Sequence, residues 1–362
     1  MKVLSLFSGI GAFEKALSNI DIDFELVNYC ECDPIPSKAY SLIHNESRDK
    51  NLGDITKVNI LDLGYYDLIV HGSPCQDFSI AGKHKGGEEN TGTRSSLMWY
   101  SVKIIEKVKP KYIIWENVPQ AIRSNNLYNF RKYLNKLIQF GYTSYYQVLN
   151  SLDYNLPQNR KRVYCVSIRN DVNFPYEFPL IMKLEKRLSD YLETDVDEYY
   201  YNICPSMLKA VEIGKVKIID NFCYSITTKM QRWNNPGLIK VYQATKKGYD
   251  YAYPGDCINL AYSNSKTRRG RVGKQYCQTI TCNNNLTVVD DDYRLRYLTP
   301  LECLRLQGFD DKDYEVLVKN GFKRDQLYKL AGNSIPVSVL EKLFYKLFID
   351  RSTYQLSMYE FI

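Results

Sequence analysis

Three side-chain types in this 362-residue chain stand at spacings that allow one reacting set: a thiol, a carboxyl group and a guanidinium. The thiol is Cys75, in Leu68-Ile69-Val70-His71-Gly72-Ser73-Pro74-Cys75-Gln76-Asp77-Phe78-Ser79, where an apolar run ends and Pro74 stiffens the chain just before the sulfur. From Gly82 to Thr93 the sequence carries four glycines, several charges and no core pattern, which predicts a loop able to act as a lid. The carboxyl group is Glu116, in Ile113-Ile114-Trp115-Glu116-Asn117-Val118, at the end of a second apolar run. Arg160 and Arg162, in Gln158-Asn159-Arg160-Lys161-Arg162, open a third run and fall on one face by the two-residue period of a strand. A lone cysteine is ordinarily a packed thiol, and a strand-end glutamate ordinarily pairs with a surface cation. Gathered at one sheet edge, where open α/β sheets bind ligands, the three instead describe a nucleophile with an acid and a charge stabiliser.

A second constellation lies upstream. Phe7-Ser8-Gly9-Ile10-Gly11 follows a strand-like run and precedes a helical one, so its glycines permit a tight turn and close approach of the backbone to a ligand. Glu31 lies twenty residues after Gly11, at the end of the next strand, where an acid accepts hydrogen bonds from ribose hydroxyls. Glu14 occupies the place of the third glycine of the dinucleotide fingerprint. That favours an adenosine cofactor without a pyrophosphate, as in S-adenosylmethionine, over a nicotinamide dinucleotide. Asp54, in Gly53-Asp54-Ile55-Thr56, is placed to bond an adenine edge, although an Asp after Gly is also a common turn residue.

The elements that must position these groups read as an α/β sheet with helices on both faces. Strands are predicted at Lys2 to Phe7, Glu25 to Tyr29, Asp67 to His71, Tyr112 to Trp115, Thr143 to Leu149 and Arg162 to Ile168, with helices at Gly11 to Ser18, Pro34 to His44 and Leu97 to Val108. After about Asp171 the alternation loosens into short β-like pieces such as Tyr276 to Thr281, as in a second, irregular domain. Thr299 to Gln307 reads as a helix capped by Thr299, with Pro300 first and Glu302 third. Val337 to Ile349 is amphipathic and suited to pack back on the sheet.

Composition narrows the function classes. At 44% hydrophobic the chain can bury a large core, and no apolar run approaches the roughly 20 residues of a membrane span. Ten cysteines without a Cys-x-x-Cys pair, and three histidines without ligand spacing, argue for reduced thiols and no metal. The net charge of +7 is concentrated: Lys229 to Lys274 holds ten basic residues, including Arg232, Arg268, Arg269, Arg271 and Lys274, against Asp250 and Asp256. Trp233, Tyr249, Tyr251, Tyr253 and Tyr262 are interleaved with them, a pattern suited to nucleic acid, with a solvated basic face as the lesser reading.

Taken together, these blocks closely resemble the DNA (cytosine-5) methyltransferase family of bacterial or phage type. Phe7-x-Gly9-x-Gly11, Glu31, Gly53-Asp54-Ile55, Pro74-Cys75-Gln76, Glu116-Asn117-Val118 and Gln158-x-Arg160-x-Arg162 stand in the family's order, followed by Arg296-x-Leu298-Thr299-Pro300-x-Glu302 and Gln326-x-Tyr328-x-x-x-Gly332-Asn333-Ser334-Ile335. The resemblance implies an α/β, Rossmann-like S-adenosylmethionine-dependent catalytic domain at 1–175. It adds a smaller, irregular, mostly β target recognition domain at 176–315 and a segment returning to the catalytic domain at 316–362. By the same resemblance Cys75 attacks carbon 6 of a flipped-out cytosine, Glu116 meets nitrogen 3, and Arg162 holds the carbonyl oxygen with Arg160 nearby. Phe7, Gly9, Gly11, Glu31, Asp54, Ile55, Pro74 and Asn333 would hold S-adenosylmethionine and its product S-adenosylhomocysteine. Contacts with double-stranded DNA fall to Gln76, Ser79, Lys83, Arg94, Arg232, Arg268, Arg269, Arg271, Lys274 and Thr279. A soluble cytoplasmic monomer is expected, with a cognate restriction endonuclease as a candidate partner. A cytosine methyltransferase acting on transfer RNA and a catalytically dead DNA-binding regulator are the rival readings.

Overall fold

The computed structural model describes residues 1–74, 94–123, 126–172, 174–213 and 239–350. Cys75, Gln76, Ser79, Lys83, Arg232 and Trp233 lie outside the described residues. The first half forms a sheet in the order β2-β1-β3-β4-β7-β5. Its strands are β1 (Lys2–Leu6), β2 (Glu25–Cys30), β3 (Leu68–His71), β4 (Tyr112–Asn117), β5 (Tyr142–Asn150) and β7 (Lys161–Arg169), with the two-residue β6 (Gln158–Asn159) just before β7. β1 to β4 pair in parallel, whereas β7 runs antiparallel to both β4 and β5.

Successive strand residues point to opposite faces, and both faces are covered, so the strands carry apolar residues on each. Val3, Leu68, Val70 and Ile114 join one core with Phe13, Ala16 and Leu17 of α1 (Ala12–Asn19). Leu4, Ile69, Ile113 and Trp115 join the other, with Trp99 and Ile105 of α3 (Met98–Val108) and Phe130 and Tyr133 of α4 (Leu127–Gln139). α2 (Pro34–His44) follows β2 and is capped by Asp33, which accepts from Ile35 N. α4 is a helix that the spacing of apolar residues did not reveal.

Short strands follow: β8 (Val211–Ile213), β9 (Ile239–Tyr242), β10 (Tyr249–Ala252), β11 (Cys257–Asn259), β12 (Val272–Gly273), β13 (Cys277–Gln278), β14 (Leu286–Val289) and β15 (Leu295–Tyr297). They form a three-stranded sheet, β10-β9-β8, and a four-stranded one, β12-β11-β14-β15, while β13 pairs with β6. Ile239, Val241, Ile258 and Val289 make a small core of their own, but Cys257, Val288 and Leu298 belong to the large one. α5 (Pro300–Arg305) starts as read from the sequence, with Thr299 and Glu302 closing a capping box. α6 (Asp311–Lys319) spans the boundary expected at 315, and α7 (Arg324–Asn333) leads to α8 (Val337–Phe344). α8 packs beside α1, with the Phe13 and Phe344 rings 6.5 Å apart. No helix among the described residues is long and apolar enough to cross a membrane.

Candidate active site

β1 sits between β2 and β3, so the chain leaves the sheet in opposite directions on its two sides, the switch point at which such sheets bind ligands beyond their strand ends. Phe7, Gly9 and Gly11 all have left-handed backbone, with φ of 56°, 56° and 78°. The turn is closed by Gly11 N donating to Ser8 O at 2.9 Å and tied to β2 by Ser8 N donating to Cys30 O at 3.2 Å. The two glycines serve different ends. A Cβ at Gly9 would meet nothing within 4 Å, so that side of the turn is open, whereas a Cβ at Gly11 would lie 2.1 Å from His44 Nε2. His44, from α2, bonds Ile10 O at 3.0 Å and so braces the turn from behind.

Glu31 faces the open side. Its Oε2 accepts from Gly9 N at 3.1 Å and its Oε1 from Asp33 N at 2.8 Å. Burial pushes its carboxyl above the usual range, and those backbone donors pull it back. Asn51 positions it by accepting from Glu31 N at 3.0 Å and donating to Glu31 O at 2.9 Å. Asp54 is half-buried one loop further on, its Oδ1 accepting from Thr56 N at 3.0 Å, and Ile55 is buried. An open turn beside two carboxylates is a donor and acceptor set that fits an adenosine diol and an adenine edge.

The edge that carries Glu116 and Arg162 is assembled by β3, β4 and the antiparallel β7. Because β7 runs against β4, its beginning meets the strand ends, and Arg162 arrives beside Glu116 with its Nε 3.1 Å from Glu116 Oε1. Glu116 is buried, and burial pushes its carboxyl up while the charges of Arg162 and Arg160 pull it down, leaving it raised. Gly72 gives it room: a Cβ there would stand 3.3 Å from Glu116 Oε2. Asn117, whose role the sequence did not disclose, donates to Ser73 O at 3.1 Å and to Ser73 Oγ at 3.2 Å, and Trp115 Nε1 reaches the same Oγ at 3.3 Å. The β4 end therefore holds both Glu116 and the Gly72-Ser73-Pro74 lead-in to Cys75.

Arg160, like Arg162, acts on the charge of Glu116, but its guanidinium is engaged elsewhere. It lies between β6 and β7 and is buried, donating through Nη1 to Ile280 O at 2.8 Å and through Nη2 to Gly332 O at 3.2 Å and Ser334 O at 2.6 Å. Asn333 ends α7 and accepts from Cys282 Sγ at 3.0 Å.

In the basic segment Arg271 is 1% exposed, with its guanidinium on the carbonyls of Asn259, Ala261 and Tyr262 at 3.1, 3.0 and 2.7 Å. Thr279 Oγ1 donates to Asn159 O at 2.8 Å, and Lys274 pairs with Asp256 at 3.0 Å. Arg269 is exposed, Arg268 stands over the Tyr262 ring at 5.9 Å, and Lys247 stands over Tyr249 at 4.8 Å. Arg94 opens the short turn Arg94–Leu97 before α3.

The sequence pattern of the C-5 cytosine-specific DNA methylases matches residues 1–348. The chain belongs to that family. Orphan methyltransferase M.SPBetaI of Bacillus phage SPbeta is 30% identical over 430 residues, covering 96% of this chain and 97% of its own. Type II methyltransferase M2.ScrFI of Lactococcus lactis subsp. cremoris is 34% identical, covering 83% and 71%. Among solved structures, the Entamoeba histolytica methyltransferase EhMeth superposes with a TM-score of 0.64 at 21% identity over 97% of this chain and 98% of that one, a likeness of fold. As a C-5 cytosine-specific methylase, the chain is a methyltransferase whose family uses S-adenosylmethionine and DNA.

Proposed function

We propose that this methylase transfers a methyl group to carbon 5 of a cytosine flipped out of a specific duplex DNA sequence, through a covalent Cys75 adduct at carbon 6. The observation that carries the reading is the buried Glu116 paired with Arg162, beside the Ser73 lead-in to the cysteine. Carbon 5 of cytosine is a weak nucleophile, and addition of the Cys75 thiolate to carbon 6 makes it electron-rich. Glu116, its proton affinity raised by burial, donates to nitrogen 3 as negative charge develops in the ring. Arg162 anchors Glu116 and offers its remaining N–H groups to the base carbonyl oxygen, while Arg160 adds its charge and orders the surroundings. A base or water then takes the carbon 5 proton, elimination restores the Cys75 thiolate, and nitrogen 3 returns its proton to Glu116.

S-adenosylmethionine, when bound, supplies the methyl group. Phe7, Gly9, Gly11, Glu31, Asp54, Ile55, Pro74 and Asn333 would hold it, with Glu31 on the ribose hydroxyls and Asp54 on the adenine edge. Duplex DNA would lie against the segment following Cys75 (Gln76, Ser79, Lys83, Arg94) and the basic recognition segment. There Arg232, Arg268, Arg269 and Lys274 are candidate backbone contacts, and Arg271 and Thr279 would act by shaping the surface. DNA containing 5-fluorocytosine, which cannot release the carbon 5 substituent, should trap the enzyme, and Cys75→Ser should abolish trapping. Methyl transfer to RNA alone, or a wild-type protein that forms no adduct, would overturn the reading.

A further inference from the structure

Three buried polar side chains join parts of the chain that the proposed reaction keeps separate. Gln158 Oε1 accepts from Ile280 N at 3.1 Å and its Nε2 donates to Leu306 O at 2.7 Å. Gln307 Nε2 donates to Ala331 O at 2.7 Å, and Arg160 bridges the Ile280, Gly332 and Ser334 carbonyls. Around this knot β13 runs alongside β6, and Thr279 is tied to Asn159. The two far partners also touch directly. A Cβ on Gly332 would lie 2.4 Å from Thr281 C and 2.5 Å from Cys282 N, so the two backbones are in close contact, and Cys282 Sγ bonds the Asn333 side chain. The segment 279–282 and the turn 332–334 thus form one seam, closed from the reacting strand by Arg160.

We propose that Arg160 is a positioning residue that couples DNA engagement at the 279–282 segment to cofactor binding at Asn333. This rests on the reading above of Thr279 as belonging to the DNA side and Asn333 to the cofactor side. A planar guanidinium can serve three carbonyls at once, whereas a lysine ammonium at the same place keeps the charge and loses the fork. DNA that orders the 279–282 segment therefore orders the Asn333 turn, and the effect is reciprocal, as any linkage of two binding sites must be.

The test is the affinity for S-adenosylhomocysteine, measured by calorimetry with and without a duplex carrying the site that bisulfite sequencing identifies. The wild type should bind it at least about fivefold more tightly with the duplex, within the usual range of coupling. Arg160→Lys should bring that ratio towards one, its loss of affinity being larger with the duplex than without it. Cys282→Ala, which removes only the bond to Asn333, should reduce the ratio partway and serves if Arg160→Lys fails to fold. A wild-type ratio of one, an unchanged ratio in the variants, or equal losses with and without DNA would each overturn the coupling. A wild type that binds no S-adenosylhomocysteine at all would instead overturn the reading beneath it.

Discussion

Among the described residues two arginine–glutamate pairs, each with its carboxylate buried, are built to opposite ends. Before α5, Arg296 meets Glu302 with both Nη atoms, at 2.9 and 2.7 Å, and the same carboxylate accepts from Thr299 N and Glu193 N, each at 2.8 Å. At the reacting edge Glu116 meets Arg162 through one atom pair at 3.1 Å, with Gly72 leaving space beside its other oxygen. The first carboxylate has its oxygens filled by hydrogen bonds on both sides, which offset the hydration lost on burial. The second keeps acceptor and donor capacity for something that arrives, and its carboxyl is raised. Saturation suits a structural pair, and incompleteness suits the pair proposed for chemistry.

The sharpest attempt to break that contrast is Glu116→Gln. An amide keeps the shape but cannot hand over a proton, so turnover should fall by about 10³, equivalent to ~4 kcal/mol, while melting temperature and duplex affinity change little. If the melting temperature drops and turnover of the folded fraction does not, Glu116 is a structural residue like Glu302. The reciprocal change, Arg296→Met, should cost about 3 kcal/mol of stability, at the low end for a broken buried pair because Glu302 keeps its two backbone donors. Urea denaturation measures that loss, and turnover per folded molecule should hold.

The same contrast explains which parts of the molecule were legible in the sequence. β1 to β4, α1 to α3 and the α5 cap were readable because apolar periodicity and capping are local, and Glu31, Glu116 and Arg162 followed from strand ends. The parts that escaped depend on distant partners or on diluted patterns. α4 buries Asn129, Phe130, Tyr133 and Leu137, and its polar and aromatic members dilute the apolar spacing. Arg160 and Arg162 were assigned one face, but no local rule says that Arg160 is buried and spent on backbone carbonyls. Its carbonyl partners lie 120 to 174 residues away, beyond any spacing rule. Arg271 read as a DNA contact because local charge density cannot show that the loop at 259–262 folds its carbonyls around it.

His71, at the end of β3, adds a third case to the comparison: burial without a charged partner. Its Nε2 lies 3.2 Å from Tyr133 Oη, and burial lowers its pKa to about 3. The unfolded chain takes up a proton near pH 6.5 that the folded one refuses, so stability is full above that pH and declines as pH falls towards 3. By pH 5 the loss should be about 2 kcal/mol, at ~1.4 kcal/mol per unit. Urea denaturation at pH 7 and pH 5 should show it, and His71→Gln should flatten the difference. An equal difference in the variant would assign the acid sensitivity elsewhere.

The smallest expected effect separates the two roles that Glu302 combines. Thr299 Oγ1 accepts from Glu302 N at 3.2 Å and also bonds the Glu193 carboxylate, while Glu302 reaches back to Thr299 N. Thr299→Ala removes half of the capping box and leaves the ion pair with Arg296, so it should cost about 1 kcal/mol, the usual value of a helix cap. A loss as large as that of Arg296→Met would mean that the cap holds the buried carboxylate in place. The pair and the helix start would then be a single device, and the saturation of Glu302 would depend on a residue that never touches the arginine.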